Sequence, residues 1–503
     1  MIFMNTSADA RDENMRLARM LFWVLLSGIA AGLILPLTYA LAGRQDGDGL
    51  LTALISTRKL TWYFWEQDRF LNLIPALTAG FENPGTNLHV QVLLRACFTY
   101  LSPLAILVFF TRSARTLLLS IALANIMLVA SLGHYGWFNL YVQHNPFGTS
   151  MVLFALAYLL MAHLSVLRLL VIGLLCLLAY ATNFALLIFT GPLLFILMVA
   201  KPEARGRLFG FGLINATAIV GAFLHSKSMN MNVTQFGVVP SLESLQQATN
   251  VLYELLNVPA FLSLLVLTLI CTATLSLTRE QRRTFLLELS APLISALVMV
   301  LVLSVTIWVK MNGFNVRYFL TGEIAVAAVM AYVVALRLEQ TNLGDKRTAL
   351  LIVAIFAMLV FGPMGGFTKT YKELISEDRR LQSKAIARAA VDARSTVIAG
   401  DFWDVWPVVY ETQRLRAREA QPLPVFGAAV RASALSEQFR ALAERSPEQS
   451  MLCFLPAVDA CLTEVRNQLR LSQNIRFETG AVKTVTLAGK PMLDIRFRLS
   501  REN

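Results

Sequence analysis

The sequence predicts an all-α polytopic membrane protein of about eleven transmembrane helices, N-terminus in and C-terminus out, with a small C-terminal periplasmic α/β domain. Three observations predict it. The 503 residues are 56% hydrophobic and only 15% charged, whereas soluble proteins carry about 25% charged residues. The apolar residues come in blocks, mostly of roughly 18 to 25, the length that crosses about 30 Å of hydrocarbon as a helix. Lysine and arginine are dense in alternate connections between the blocks and sparse in the others.

The blocks run 20–43, 93–111, 116–133, 149–163, 167–181, 184–200, 208–225, 257–278, 286–309, 318–336 and 348–367. Asp9, Arg11, Asp12 and Glu13 precede the first block. That is not a cleavable-signal pattern, so residues 1–19 read as a cytoplasmic N-terminus before a retained helix. Arg11, Arg16, Arg19, Arg112, Arg115, Arg168, Lys201, Arg205, Arg207, Arg279, Arg282, Arg283, Arg337, Lys346 and Arg347 fall on one side. The loops of the other side hold only Arg44, Arg58, Lys59, Arg69, Lys227, Lys310 and Arg317. The positive-inside rule makes the first side cytoplasmic. Blocks five and six are parted only by Thr182 and Asn183; joining them would invert the bias of every later loop, so they read as a hairpin. The net charge of +12 is therefore topological and implies no nucleic-acid partner.

Every cytoplasmic connection is short, with no Gly-rich phosphate loop and no room for a nucleotide-binding domain. The membrane domain, 20–367, has longer outer connections at 44–92, 134–148 and 226–256, and a short one at 310–317. The tail, 368–503, is large enough to be a domain. In it, 372–393, 436–445 and 459–470 read as helices, 395–399 and 451–455 as buried strands, and 476–500 as a hairpin turning near Gly489. Cys453 and Cys461 flank FLPAVDA; a disulfide and a buried free thiol are both open readings. Cys97, Cys176 and Cys271 sit in apolar blocks as small hydrophobes.

Candidate chemistry collects on the outer side. Six of the seven tryptophans (62, 65, 137, 308, 403, 406) and four of the five histidines (89, 134, 144, 225) fall there. The stretch 62-WYFWEQDRFLNLIP-75 reads as a surface-lying amphipathic helix from about 58 to 74, ended by Pro75. On a helix Glu66 and Asp68 point apart and Glu66 meets Arg69, which leaves Asp68 as the acid without a local partner. An interfacial helix with solvated charges is the plainer reading of the same residues. The segments 83-NPGTNLHVQ-91 and 134-HYGWFNLYVQHNPFGTS-150 bring Asn, Gln, His and aromatic groups suited to sugar hydroxyls and ring faces; simple polar turns are the alternative. No His-x-x-His or Glu-x-x-His pair offers a zinc site, although Asp68 or Glu66 could hold a divalent cation, leaving the cofactor unknown. In 308-WVKMNGFNVRYF-319, Lys310 and Arg317 suit a lipid phosphate or pyrophosphate, or else simply anchor helix ends. The middles of the blocks hold no charge, with Arg95, Arg168, Glu288 and Glu323 all near block ends, which counts against an ion-coupled transporter.

Topology over about 20–370, WEQDRF in the first outer loop, HNPFGTS in the second and GDFWDVWPVVY (400–410) opening the tail domain resemble the GT-C superfamily of integral-membrane glycosyltransferases. The bacterial protein mannosyltransferase and aminoarabinose transferase families are the nearest in pattern. The resemblance implies sugar transfer from a polyprenyl-phosphate donor to an envelope glycan or lipid acceptor at the periplasmic face of the inner membrane. It makes the first-loop acid the catalytic base, Asp68 with Glu66 as runner-up. On that reading Arg69, Trp62, Trp65, His134, Tyr135, His144, Lys310 and Arg317 are expected to bind substrate, Lys310 and Arg317 at the donor phosphate. Residues 134–148 lack the second acid common in that class. The rival readings are a lipid-linked-oligosaccharide flippase or other transporter, which needs a polar path through the spans, and a non-catalytic envelope-assembly protein.

Overall fold

The computed structural model describes residues 7–501 except 112, 143–145, 163–164, 230–236, 342–344, 362–376 and 422. In chain order its membrane part comprises α1 (Ser7–Tyr39), α2 (Gly47–Arg58), α3 (Leu73–Leu77), α4 (Pro84–Leu101), α5 (Leu104–Leu107), α6 (Ala114–Trp137), α7 (Phe147–Leu160) and α8 (Val166–Thr182). There follow α9 (Leu186–Ala200), α10 (Arg205–Ser228), α11 (Leu242–Leu255), α12 (Val258–Thr274), α13 (Arg279–Ser304), α14 (Ile307–Met311), α15 (Leu320–Gln340) and α16 (Asp345–Phe361). A helix thus stands at each of the eleven apolar blocks. Among the described residues six stretches are long and apolar enough to cross a membrane: Leu17–Tyr39, Pro84–Leu107, Ala114–Leu132, Pro202–Ser228, Arg279–Ser304 and Leu320–Gln340.

α15 lies at the centre, 78% buried, where its run of Ala and Val lets α6, α12 and α13 approach closely. α1 crosses α4 through Gly28 and Gly32; a Cβ at Gly32 would stand 2.8 Å from the Leu93 carbonyl oxygen. Peripheral helices turn large apolar side chains outward, among them Phe209, Leu213, Val220 and Leu224 of α10 and Leu262, Val266 and Leu269 of α12. That is the pattern expected where the solvent is lipid.

The tail folds as an α/β domain. Its strands are β1 (Val397–Ala399), β2 (Phe426–Ala428), β3 (Glu448–Cys453), β4 (Ile475–Leu487) and β5 (Lys490–Arg501), and its helices α17 (Glu377–Asp392), α18 (Phe402–Arg418), α19 (Ser436–Arg445) and α20 (Val458–Gln468). The sheet order is β2-β1-β3-β5-β4. β1 runs parallel to β2 and β3, and the β4–β5 hairpin adds antiparallel to β3. The hairpin turns on Ala488 and Gly489, both at positive φ (51° and 78°), the backbone a two-residue turn requires. Cys453 at the end of β3 and Cys461 in α20 form a disulfide, which settles the alternative left open by the sequence.

Three expectations are corrected. First, 58–74 is not a helix. The helix of this loop is α2, ending at Arg58, and almost every residue from Gly47 to Ser56 is buried. Beyond it the chain folds back on itself: Tyr63 bridges Leu71, and Glu66 and Phe70 take positive φ (57° and 60°). Side chains hold the carbonyls that a helix would have used. Asn72 Nδ2 donates to the Thr61 and Tyr63 carbonyls, and Trp65 Nε1 donates to that of Lys59. Second, 83–91 is not an outer loop. Asn83 caps α4 by accepting the Gly85 and Thr86 N–H groups, and Pro84 takes the first position, so the helix starts nine residues before the 93–111 block. Helical backbone likewise continues past 134, through α6 and a π-helical turn at Phe138–Val142. Third, with α4 starting at Pro84, Arg95 sits in the middle of the span Pro84–Leu107 rather than near its end.

Candidate functional site

The α/β domain sits on the connection between α1 and α4, and the contact is built from the stretch that the sequence singled out. Glu66, turned out by its left-handed backbone, accepts the N–H of Ser433 at 2.8 Å and that of Arg431 at 3.1 Å. It thereby caps the short 3-10 turn Ala432–Leu435. Trp65, 1% exposed, packs against Trp406 with ring centroids 5.9 Å apart. Arg58 donates to Gln413 and to the Val425 carbonyl, and Lys59 pairs with Glu437 at 3.2 Å. The expected Glu66–Arg69 pair is not the one formed. Arg69 instead lies over the Trp308 ring, 4.0 Å from its centroid.

Between loop and domain a cleft of about 260 Å³ opens. One wall comes from the first loop (Phe64, Gln67, Phe70), one from 308–318 (Trp308, Asn312, Arg317, Tyr318) and one from the domain (Phe402, Trp403, Val430, Arg431). Pro146 and Phe147 at the start of α7 close it, and Asp48 stands at its α2 edge. Asp48 pairs with Arg317 at 3.5 Å, and Arg317 also donates to the Tyr318 hydroxyl. Arg431 donates to the Glu66 carbonyl. The cleft therefore combines one accessible carboxylate, two guanidinium groups and several aromatic faces.

Burial shapes the charges around it. Asp46 caps α2 by accepting the Gly49 N–H at 2.9 Å. Its carboxyl is pushed up to about 6, by burial first and by the neighbouring Asp48 second, against the pull of that hydrogen bond, Arg317 and Arg95. Arg69 is lowered to about 10 by burial, with Arg431 and Arg317 repelling it and Tyr318 and Asp68 favouring its charged form. Burial also lowers Arg431, opposed by Asp48 and Glu66. Three arginines from separate parts of the chain thus act on one small volume.

Of the residues expected to form the site, Arg317 lines the cleft and Arg69 stands behind Trp308. Asp68 is buried, 5% exposed, and does not line the cleft; burial first and the Asp68 charge second push the neighbouring Tyr63 hydroxyl up to about 12. Glu66 and Trp65 hold the domain in place. Trp62 is 66% exposed and packs edge-on against His225, to whose Nδ1 the Tyr63 hydroxyl bonds at 2.9 Å. Lys310 is exposed on α14, outside the cleft lining. The side chains of His134 and Tyr135, on α6, and the whole of His144 lie outside the described residues. Among the described residues no three His, Cys, Asp or Glu side chains gather to hold a metal ion. A divalent cation at Asp68 or Glu66 thus has no third ligand of that kind there.

Asp46, Asp48 and Arg431 were missed. The signal for the acids was an Asp-Gly-Asp-Gly run opening a helix directly after the first span; for Arg431 there was none. Also missed was a buried polar ladder behind α2. Arg95 donates to Gln45 at 3.1 Å, to Gln91 at 2.7 Å and to Thr52. Gln91 donates to Asn87 at 2.7 Å, and Asn87 to Ser56 at 2.8 Å. The ladder locks α2, and hence Asp48, onto α4. Comparison with known proteins adds no name to this site: no protein-family model matches the chain, and no curated protein matches it.

Proposed function

We propose that this chain is a GT-C-type glycosyltransferase of the bacterial inner membrane, crossing it about eleven times, N-terminus in. It transfers a sugar from a polyprenyl-phosphate donor to an envelope glycan or lipid acceptor at the periplasmic face. The observation that carries the reading is the cleft: Asp48 beside Arg317 and Arg431, walled by Phe64, Phe70, Trp308 and Trp403 where the α/β domain meets the membrane helices. A phosphate suits the guanidinium pair, sugar faces suit the aromatic walls, and an apolar tail suits the adjoining bilayer. The Cys453–Cys461 disulfide supports an oxidising compartment for the domain, in agreement with the positive-inside bias.

In this mechanism Arg317 and Arg431 hold the donor phosphate and stabilise the charge that develops on it. Asp48 takes the proton from the acceptor hydroxyl. The acceptor oxygen bonds to the anomeric carbon as that carbon's bond to the phosphate oxygen breaks, and polyprenyl phosphate leaves. Asp48 replaces Asp68 as the preferred base because it faces the cleft while Asp68 is buried behind it. The mid-span ladder at Arg95 is the one observation favouring a transporter; its groups bond to one another and to backbone, which makes it a clamp between helices. Gene deletion followed by mass analysis of envelope glycans and polyprenyl-linked sugars tests the reading. A missing sugar with accumulated outward-facing donor is expected. An inward-facing lipid intermediate would instead indicate a flippase.

A further inference from the structure

A second cleft, about 360 Å³, lies at the opposite end of the helix bundle. The turn at Thr182–Asn183 belongs to the end near the first cleft, where Leu71 donates its N–H to the Ala181 carbonyl. From that turn α9 carries the chain through 15 residues to Ala200, a rise of about 22 Å. Lys201 and Arg207 line the second cleft, with Phe109, Phe110, Thr111 and Tyr158 among its walls.

The charges there are unevenly satisfied. Lys201 pairs with Glu288 at 2.8 Å and donates to the Phe109 carbonyl at 2.7 Å, so its charge is used. Arg207 lies over the Tyr158 ring, 5.5 Å from the centroid, and its buried Nε has no hydrogen-bond partner among the described residues. Glu203 is exposed at the rim, and Arg205 on the next turn is exposed too. Of the two cations that line the cleft, Lys201 is matched by Glu288, which leaves Arg207 as the one placed to meet an incoming anion. A half-buried guanidinium against an aromatic wall, with its buried Nε–H unused, suits an anion that can accept from it. The helix that ends at Ala200, just before Lys201, exposes Val199 (55%) in its last turn and Phe195 (65%) one turn deeper, a surface fit for an acyl chain.

We infer that this cleft binds the headgroup phosphate of an anionic glycerophospholipid in the leaflet opposite the candidate site, with Arg207 as its principal donor. Basic pockets between membrane helices are suited to such headgroups. The inference does not depend on glycosyl transfer.

The full chain, purified in detergent, is offered phosphatidylglycerol and phosphatidylethanolamine in equal amounts, and native mass spectrometry counts the lipid retained. Wild type should retain phosphatidylglycerol in preference. Arg207→Gln should reduce that retention roughly fivefold, Arg207→Lys should keep part of it, and Arg283→Gln, an exposed cation on α13, should behave as wild type. Equal retention of the two lipids by wild type would overturn the proposal without any variant. So would undiminished retention in Arg207→Gln, or displacement of the lipid by millimolar inorganic phosphate, which would point to a free-phosphate site.

Discussion

The Glu66 carboxylate accepts the backbone N–H of Ser433 at 2.8 Å, joining two segments 367 residues apart in the chain. A charged side chain that looked like interfacial decoration is the pin on which the α/β domain seats. Hydrogen bonds to a charged acceptor contribute about 1.5–3 kcal/mol each. Glu66→Gln should therefore loosen the domain without unfolding it. Hydrogen exchange of 426–436 should speed up by at least tenfold, while exchange in α15 stays unchanged. Equal exchange rates in both proteins would contradict the role given to Glu66.

Asp48 faces the cleft and Asp68 does not. With a purified lipid-linked donor, Asp48→Asn should lower kcat by about 10²–10⁴, the usual loss on removing a general base, at normal protein level. Asp68→Asn should cost about tenfold or less. The reverse ranking would return the base to Asp68. Full activity in both variants would remove general-base chemistry from this loop.

Asp46 provides a pH test. Its carboxyl is raised from the usual 3.8 to about 6, so between those values the folded protein binds more protons than the unfolded chain. This contribution to stability is fully present below about pH 4 and is lost as pH rises through 6. Asp46→Asn removes the titration and keeps a good cap, since Asn and Asp serve the N-cap equally. The variant should match wild type at pH 4 and become more stable than it by pH 7, by on the order of 1–3 kcal/mol. A difference in thermal midpoint that stays constant across this range would refute the assignment.

Arg95 separates clamp from path. Removing it leaves Gln45, Thr52 and Gln91 short of a donor in the buried contact between α2 and α4. Each buried polar group left unmade costs about 1–3 kcal/mol. Arg95→Leu should lower the thermal midpoint by several degrees and also reduce activity, because α2 presents Asp48. A variant of unchanged stability that lost lipid translocation would favour the transporter.

Much of this was legible because hydrophobic blocks and strand alternation are local signals. The eleven apolar helices, the β4–β5 hairpin and the buried β3 could be read directly, while Cys453 and Cys461 could be read only as one of two open alternatives, a disulfide or a buried free thiol. What failed depended on distant contacts. The stretch 62–74 has helical spacing of apolar residues, yet Asn72, Trp65 and the backbone at 431–433 claim its polar groups, and none of these lies within a helical turn of the group it binds. Arg431 belongs to the cleft only because a domain more than 300 residues downstream docks there. Arg95 was misplaced because Pro84 and Asn83 look like a turn and are in fact a helix start. Arg317, by contrast, was found because a cation beside aromatics is unusual on a side otherwise poor in lysine and arginine.

The disulfide tests the placement of the domain. It closes a short loop, eight residues in sequence separation, so chain entropy assigns it only about 2.5 kcal/mol. Its diagnostic value lies in the compartment it requires. The chain has five cysteines, of which Cys97, Cys176 and Cys271 are free thiols in membrane helices. Cells quenched with acid, then denatured and treated with a thiol-reactive mass tag, should show three tags without reductant and five with it. Cys453→Ser should show four in both conditions, since Cys461 is released. Five tags without reductant in wild type would mean reduced thiols, and would place the α/β domain on the cytoplasmic side against the topology proposed here.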